Sequence, residues 1–153
     1  MRLFNRRELD TAPFTRQAVS PDYEGRLAFI GRLLDDQNCR SAVVLELSGN
    51  YIIRSTSRQT GELLLTELVL DDFEQGDVRS PIPPQPNSYE TMLTAIGKSL
   101  DDRVAANVTI VEGQSRYHVA GWQRGYAGGS QGYVYFAETL DRFDLQRPEP
   151  GRS

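Results

Sequence analysis

The sequence predicts an α+β fold. It is expected to be one mostly antiparallel sheet of about six strands, with two long helices packed on one face, built from two tandem helix-β-β-β repeats related by a pseudo-twofold. Three observations point there. Residues 23–36 return 66 residues later as 89–102, with eight of fourteen positions identical: Tyr23/Tyr89, Glu24/Glu90, Leu27/Leu93, Ile30/Ile96, Gly31/Gly97, Leu34/Leu100, and Asp35-Asp36 over Asp101-Asp102. An internal repeat decides whether a chain is one irregular fold or one unit used twice. Each copy is followed by an apolar run, 42–47 and 108–112, in matching register with Glu46 over Glu112. Between the copies lies a proline-rich stretch containing Pro81, Pro83, Pro84 and Pro86, which excludes helix and favours an extended connector.

The elements follow in chain order. Residues 1–19 are polar, with scattered Leu3, Phe4, Leu9 and Phe14, and are expected to form an arm. Ser20-Pro21-Asp22 suits a helix start, with Ser20 as N-cap, Pro21 at the first helical position and Asp22 favourable to the helix dipole. Asn87 with Glu90 suits a capping-box-like start for the second helix. The apolar positions Tyr23, Leu27, Ile30, Leu34 and Tyr89, Leu93, Ile96, Leu100 are spaced 4-3-4, one face of an amphipathic helix.

The runs at 42–47 and 108–112 read as strands. Ser48-Gly49-Asn50 has hairpin-turn composition and returns the chain into a second strand at 51–55, matched by 117–121. Third strands are expected at 62–65 and 133–136, each running into a short closing segment that ends at Phe73 or Phe143. That last match is offset by 70 residues, so four extra residues are expected in the loop before the last strand. A single domain over 1–153 is thus expected, with repeats at 20–76 and 88–144, a linker at 77–87 and a disordered tail at 145–153. Three strands and one helix make too small a core to stand alone, so the two units should share one.

Composition narrows the function. Of 153 residues, 39% are hydrophobic, and 21 acidic against 17 basic residues give a net charge of -4. That balance argues against affinity built on neutralising nucleic-acid phosphates or anionic lipid, so nucleic acid is unlikely and no membrane partner is expected. The start lacks the apolar core of a secretory signal, and no apolar run approaches the roughly 20 residues that span a bilayer. A lone Cys39 excludes an intramolecular disulfide and fits a reducing compartment. A cytoplasmic protein is expected.

Chemistry-bearing residues are sparse. Gly31 and Gly97 sit in mid-helix, where glycine costs about 1 kcal/mol relative to alanine, which suggests close backbone approach. The repeated aspartate pairs point about 100° apart on a helix and do not converge on one ion; solvated helix ends are expected, although acid at a helix C-terminus opposes the dipole. Glu46 and Glu112 interrupt apolar strands near Tyr51 and Tyr117. A carboxylate beside a phenol can be acid/base machinery, or simply a hydrogen-bonded strand end. His118 and Cys39 are the only residues of their kinds, too few for a triad or a zinc site; Cys39 is expected as a small buried thiol. No metal or cofactor is expected.

The most distinctive stretch is the glycine-rich 121–132, where the copies differ most. Trp122 and Tyr126 can stack on a ring, and Arg124 with glycine N–H groups can meet an anion. The stretch matches no phosphate loop and is expected to be a flexible hairpin loop. The candidate surface is therefore Arg54, Arg58, Tyr117, His118, Trp122, Arg124 and Tyr126. The expected function is a non-enzymatic protein- or peptide-binding or regulatory module, with self-association allowed. The alternative is a small-molecule or nucleotide-binding protein, extending to an enzyme that uses a Glu/Tyr pair.

Overall fold

Helix starts are fixed by side-chain oxygens that replace missing backbone acceptors, and the first one described here is at Asp22. The structure, a computed structural model, describes residues 22–76, 84–127 and 130–146, with side chains except at 74–76, 126–127 and 130–131. The expected arm, Ser20, Pro21, the first part of the linker, Gly128-Gly129, the side chain of Tyr126 and residues 147–153 of the expected tail lie outside those residues; residues 145–146, expected as tail, are helical, with Leu145 buried. In chain order the elements are α1 (Tyr23–Asp36), β1 (Cys39–Leu47), β2 (Asn50–Ser57), β3 (Leu63–Leu68), a short α2 (Leu70–Gly76), α3 (Tyr89–Arg103), β4 (Ala106–Glu112), β5 (Arg116–Ala127), β6 (Ser130–Asp141) and a short α4 (Arg142–Gln146).

Both helix caps differ from expectation. The cap of α1 is Asp22 in place of Ser20, because its carboxylate accepts from the Gly25 N–H at 3.0 Å, so the helix begins at Tyr23. The cap of α3 is Ser88 in place of Asn87, its hydroxyl accepting from the Thr91 N–H at 3.1 Å. Glu90 does not close a capping box; its carboxylate lies 3.7 Å from Arg32 on α1. The expected apolar stripes are the buried ones, Tyr23, Leu27, Ile30 and Leu34 on α1 and Tyr89, Leu93, Ile96 and Leu100 on α3.

The strands form one six-stranded antiparallel sheet in the order β3-β2-β1-β4-β5-β6. Its centre is the β1/β4 ladder, where Val43 pairs with Val111, Val44 with Ile110 and Leu45 with Thr109. The β1–β2 hairpin closes through Ser48 and Gly49, both at positive φ (53° and 87°), which is the turn geometry that matches strand twist. Side chains alternate across a strand, and here the alternation separates two surfaces. Val44, Ile53, Ile110 and Val119 join the helix residues in one buried cluster. Their neighbours face away from both helices. The short helices close the same core: Phe73 of α2 meets Phe29 and Tyr51 edge-on at 5.3 Å, and Leu145 of α4 is buried.

The described part of the glycine-rich stretch is strand and not loop, with Gly128-Gly129 outside the described residues. β5 continues to Ala127 and β6 starts at Ser130, with Trp122 opposite Tyr135, Arg124 opposite Tyr133 and Gly125 opposite Gly132. The additional length therefore extends two strands, with Trp122 and Tyr135 paired across them and Gly125 and Gly132 sharing one rung.

The two long helices touch backbone to backbone. A Cβ at Gly31 would stand 2.5 Å from Glu90 Cα, and one at Gly97 would stand 2.6 Å from the Tyr23 carbonyl oxygen. Neither obstacle is a flexible side-chain end, so the helices themselves would have to move. Gly31→Ala and Gly97→Ala should each destabilise the protein by about 1–3 kcal/mol, overpacking outweighing the gain in helix propensity. Urea unfolding measures this; a variant more stable than wild type would show that the approach is looser than described.

Candidate functional site

Three repeated polar motifs have to be accounted for before any site can be identified. The first is the aspartate pair. Asp35 lies near the end of α1, yet its two carboxylate oxygens accept from the Tyr89 and Glu90 N–H groups of α3, at 2.9 and 3.1 Å. Asp101 does the same for α1, accepting from Tyr23 at 2.9 Å and Glu24 at 3.0 Å. The first N–H groups of a helix have no partner within it, and the positive end of its dipole favours a carboxylate. Each helix thus caps the other, a role added to the expectation of solvated ends: Asp35, Asp36 and Asp102 are exposed, while Asp101 is half-buried. Burial lifts the Asp101 carboxyl above its ordinary range, and the two N–H donors pull it back.

The second motif is the strand glutamate. Glu46 and Glu112 stand opposite Tyr51 and Tyr117 in register, but their partners are the helix tyrosines. The Tyr23 hydroxyl donates to Glu46 at 2.6 Å and the Tyr89 hydroxyl to Glu112 at 2.5 Å. Each carboxylate also captures a backbone N–H of the neighbouring central strand, Val108 at 3.3 Å for Glu46 and Ala42 at 2.8 Å for Glu112. Those N–H groups belong to bulges. In β1, Ser41 and Ala42 stand opposite a single residue, and in β4 Asn107 and Val108 do so, with Ser41 and Asn107 at positive φ (56° and 54°). A bulge interrupts the ladder locally, and an unmet buried N–H is costly. Glu46 additionally accepts from Gly49, and Glu112 pairs with Arg142 at 2.7 Å.

The third motif is the tyrosine set. Burial first, then the neighbouring carboxylate, raises the pKa of Tyr23, Tyr51, Tyr89 and Tyr117 well above the ordinary phenol value. Tyr23 and Tyr89 are held as donors to the glutamates, whereas the buried Tyr117 hydroxyl has no hydrogen-bond partner among the described residues.

Beside the second carboxylate lies a polar cleft of about 130 Å³, lined among others by Asp35, Asn38, Cys39, Arg58, Tyr89, Glu112 and Arg142. Arg58 reaches it from the β2–β3 turn, donating from Nε to the Cys39 carbonyl at 3.1 Å. Cys39 is buried, as expected.

The far face of the sheet is different in kind. Six of the nine large hydrophobics exposed among the described residues stand on it: Leu45, Leu47, Leu63, Leu65, Trp122 and Tyr135, with Leu65 71% and Leu63 and Tyr135 each 60% exposed. No described helix crosses this face. Arg54 (opposite Val43 and Leu65), His118 (opposite Val111 and Thr139) and Arg124 (opposite Tyr133) share it. Trp122 and Tyr135 form an edge-on pair at 5.6 Å.

Of the expected surface residues, Arg54, His118, Trp122 and Arg124 thus come together on one face. Tyr117 does not: it is adjacent to His118 in the chain and therefore points to the opposite, buried side, under Arg142. Arg58 lines the cleft instead. The leucines of β1 and β3 were not singled out from the sequence, although every second residue of β3, Leu63, Leu65 and Glu67, carried the signal. No protein-family model matches the chain, and neither a curated protein nor a solved structure matches it.

Two outcomes follow from the buried polar groups. Glu46→Leu should cost about 1–3 kcal/mol for each donor left without an acceptor, of which Tyr23 Oη and the Val108 N–H are buried; chemical denaturation reads the loss, and a neutral change would mean that the carboxylate is dispensable. In an alkaline absorbance titration, four of the seven tyrosines should stay protonated while the fold persists. Because the folded pKa values are raised, stability should fall once pH exceeds the unfolded phenol value of about 10. Ionisation of all seven with the fold intact would contradict this.

Proposed function

We propose that the uncovered sheet face is a docking surface, and that the protein is a non-enzymatic module binding an acidic, apolar segment of another protein. The observation that carries this is the concentration of exposed leucine and aromatic side chains on one sheet face. Contiguous apolar surface of this kind is unusual on a protein that works alone. Six strands spaced about 4.8 Å apart span about 24 Å, a width suited to a macromolecule.

Charge selects the occupant. Arg40, Arg54, Arg116 and Arg124 stand on this face against Glu67 and Asp141, while the chain as a whole carries -4. A second copy brings the same net positive face, four arginines against two acids, so stacking face to face sets like charge against like. The chain's own first 21 residues hold four arginines against two acids, so they are a poor match as well. An acidic partner complements the surface and is steered to it.

The same proposal includes the architecture: two copies of one unit about a pseudo-twofold through the central ladder. Its support is that Val44 pairs with Ile110, its counterpart 66 residues on, and that the aspartate, glycine, glutamate and bulge contacts all recur at that offset. What repeats is then scaffold, and Glu46 and Glu112 are each committed to three donors.

A second reading is favoured by the polar cleft at Arg58 and Arg142, which has room for a small polar ligand. A thermal-shift screen with nucleotides, sugars and small carboxylates separates the two, since saturation at 100 times the dissociation constant adds about 2.7 kcal/mol.

The docking proposal is tested by affinity capture of partners on wild type and on Leu65→Ser/Leu47→Ser. A partner retained by wild type and lost from the double variant, with weakening as salt rises, is the expected outcome. Equal capture by both proteins would overturn it.

A further inference from the structure

The uncovered face is not uniform. Across its middle the rung Leu45–Thr109–Ala120–Ala137 runs from large to small, and the small end opens a trough of about 240 Å³ lined by Thr109, Val111, His118, Ala120, Ala137 and Thr139. The next rung along β5 and β6 is the edge-on Trp122–Tyr135 pair, which stands above it as a wall. On the other side the His118 ring lies against Thr139, with Nδ1 3.3 Å from the threonine hydroxyl.

We infer that this trough is the anchor pocket of the docking face, taking one large apolar side chain, Phe, Leu, Ile or Met, from a partner segment that carries Asp or Glu close by. The inference rests on the proposed docking role and goes further by placing the specificity. Its volume exceeds that of a single aromatic side chain, and its lining combines Val111, Ala120 and Ala137 with Thr109, His118 and Thr139. An interface is usually dominated by a few side chains buried in well-packed pockets, ringed by contacts that exclude water. Trp122 and Tyr135 supply the ring on one side and Leu45 on another. The acidic neighbours of the anchor are accounted for by Arg54, two strands beyond the trough on the His118 rung, and by Arg124, one rung beyond Trp122. Neither arginine has a hydrogen-bond or ion-pair partner among the described residues, so both charges are available.

The chain's one tryptophan stands at the pocket wall, which makes its emission a direct reporter. A phage-displayed random 12-residue peptide library, selected on wild type, supplies the probes; the enriched peptides are synthesised and titrated. Enrichment of a single Phe, Leu, Ile or Met flanked by Asp or Glu is expected, with a change in Trp122 emission on binding. Ala137→Phe fills the trough at an exposed strand position and should weaken binding at least tenfold while circular dichroism and the unfolding midpoint stay near wild type. Arg54→Ala/Arg124→Ala should weaken it several-fold and flatten its salt dependence. Binding that survives Ala137→Phe but is lost in Leu65→Ser/Leu47→Ser overturns the anchor pocket and leaves the docking face standing. Binding that survives both, or a selection that enriches nothing, overturns the pocket and the docking face together.

Discussion

The structure depends on a reciprocal contact between two antiparallel helices. Asp35 and Asp101 each hold the first N–H groups of the opposite helix, and Gly31 and Gly97 let the backbones meet at those same turns. Either device alone is modest. A helix cap is worth about 1 kcal/mol, and a mid-helix glycine costs about as much. Together they set the spacing and direction of the pair, because an aspartate reaches the other helix's N-terminus only if nothing larger than hydrogen lies between the backbones. With the helices side by side, both apolar stripes face the same way and cover one side of the sheet.

That arrangement has a second effect, on the sheet. Tyr23 and Tyr89 descend from the clamped helix ends to Glu46 and Glu112, and those carboxylates satisfy bulge N–H groups on the neighbouring central strand. The chain of contacts runs from helix terminus to tyrosine to glutamate to strand bulge, and it is fully hydrogen-bonded at each glutamate. Buried polar networks are tolerable when satisfied and expensive when not. The polar residues that looked most like catalytic machinery are therefore occupied by the join between helix layer and sheet layer. The opposite side of the sheet receives nothing from this network, and its exposed large hydrophobics are leucines, a tryptophan and a tyrosine.

Much of the fold was legible in the sequence because it is local. The 4-3-4 spacing of Tyr23, Leu27, Ile30 and Leu34 names the buried helix face, and the apolar run before Ser48-Gly49 names a strand and its turn. The polar contacts were not legible, because Asp35 and Tyr89 are 54 residues apart and neither residue type announces that distance. The caps were misplaced by one or two residues for a related reason: Ser20, Asp22, Asn87 and Ser88 are all competent, and tertiary position decides among them. The glycine-rich stretch misled through composition, since its described glycines, Gly121, Gly125 and Gly132, sit at paired strand positions beside Trp122, Arg124 and Tyr133. Of the candidate site, the parity of β5 already separates Tyr117 from His118, while the contribution of β3 required knowing that no described helix returns over that face.

The account turns on one structural asymmetry: a single sheet with one face sealed by clamped helices and the other crossed by no helix among the described residues. Solvent paramagnetic relaxation of leucine methyl groups in the full chain measures it directly, using a soluble relaxation agent. Strong enhancement at Leu45, Leu47, Leu63 and Leu65, with protection at Leu27, Leu34, Leu93 and Leu100, is the result this account requires. Protection of both sets alike would mean that some part of the chain already covers the far face, and would contradict it.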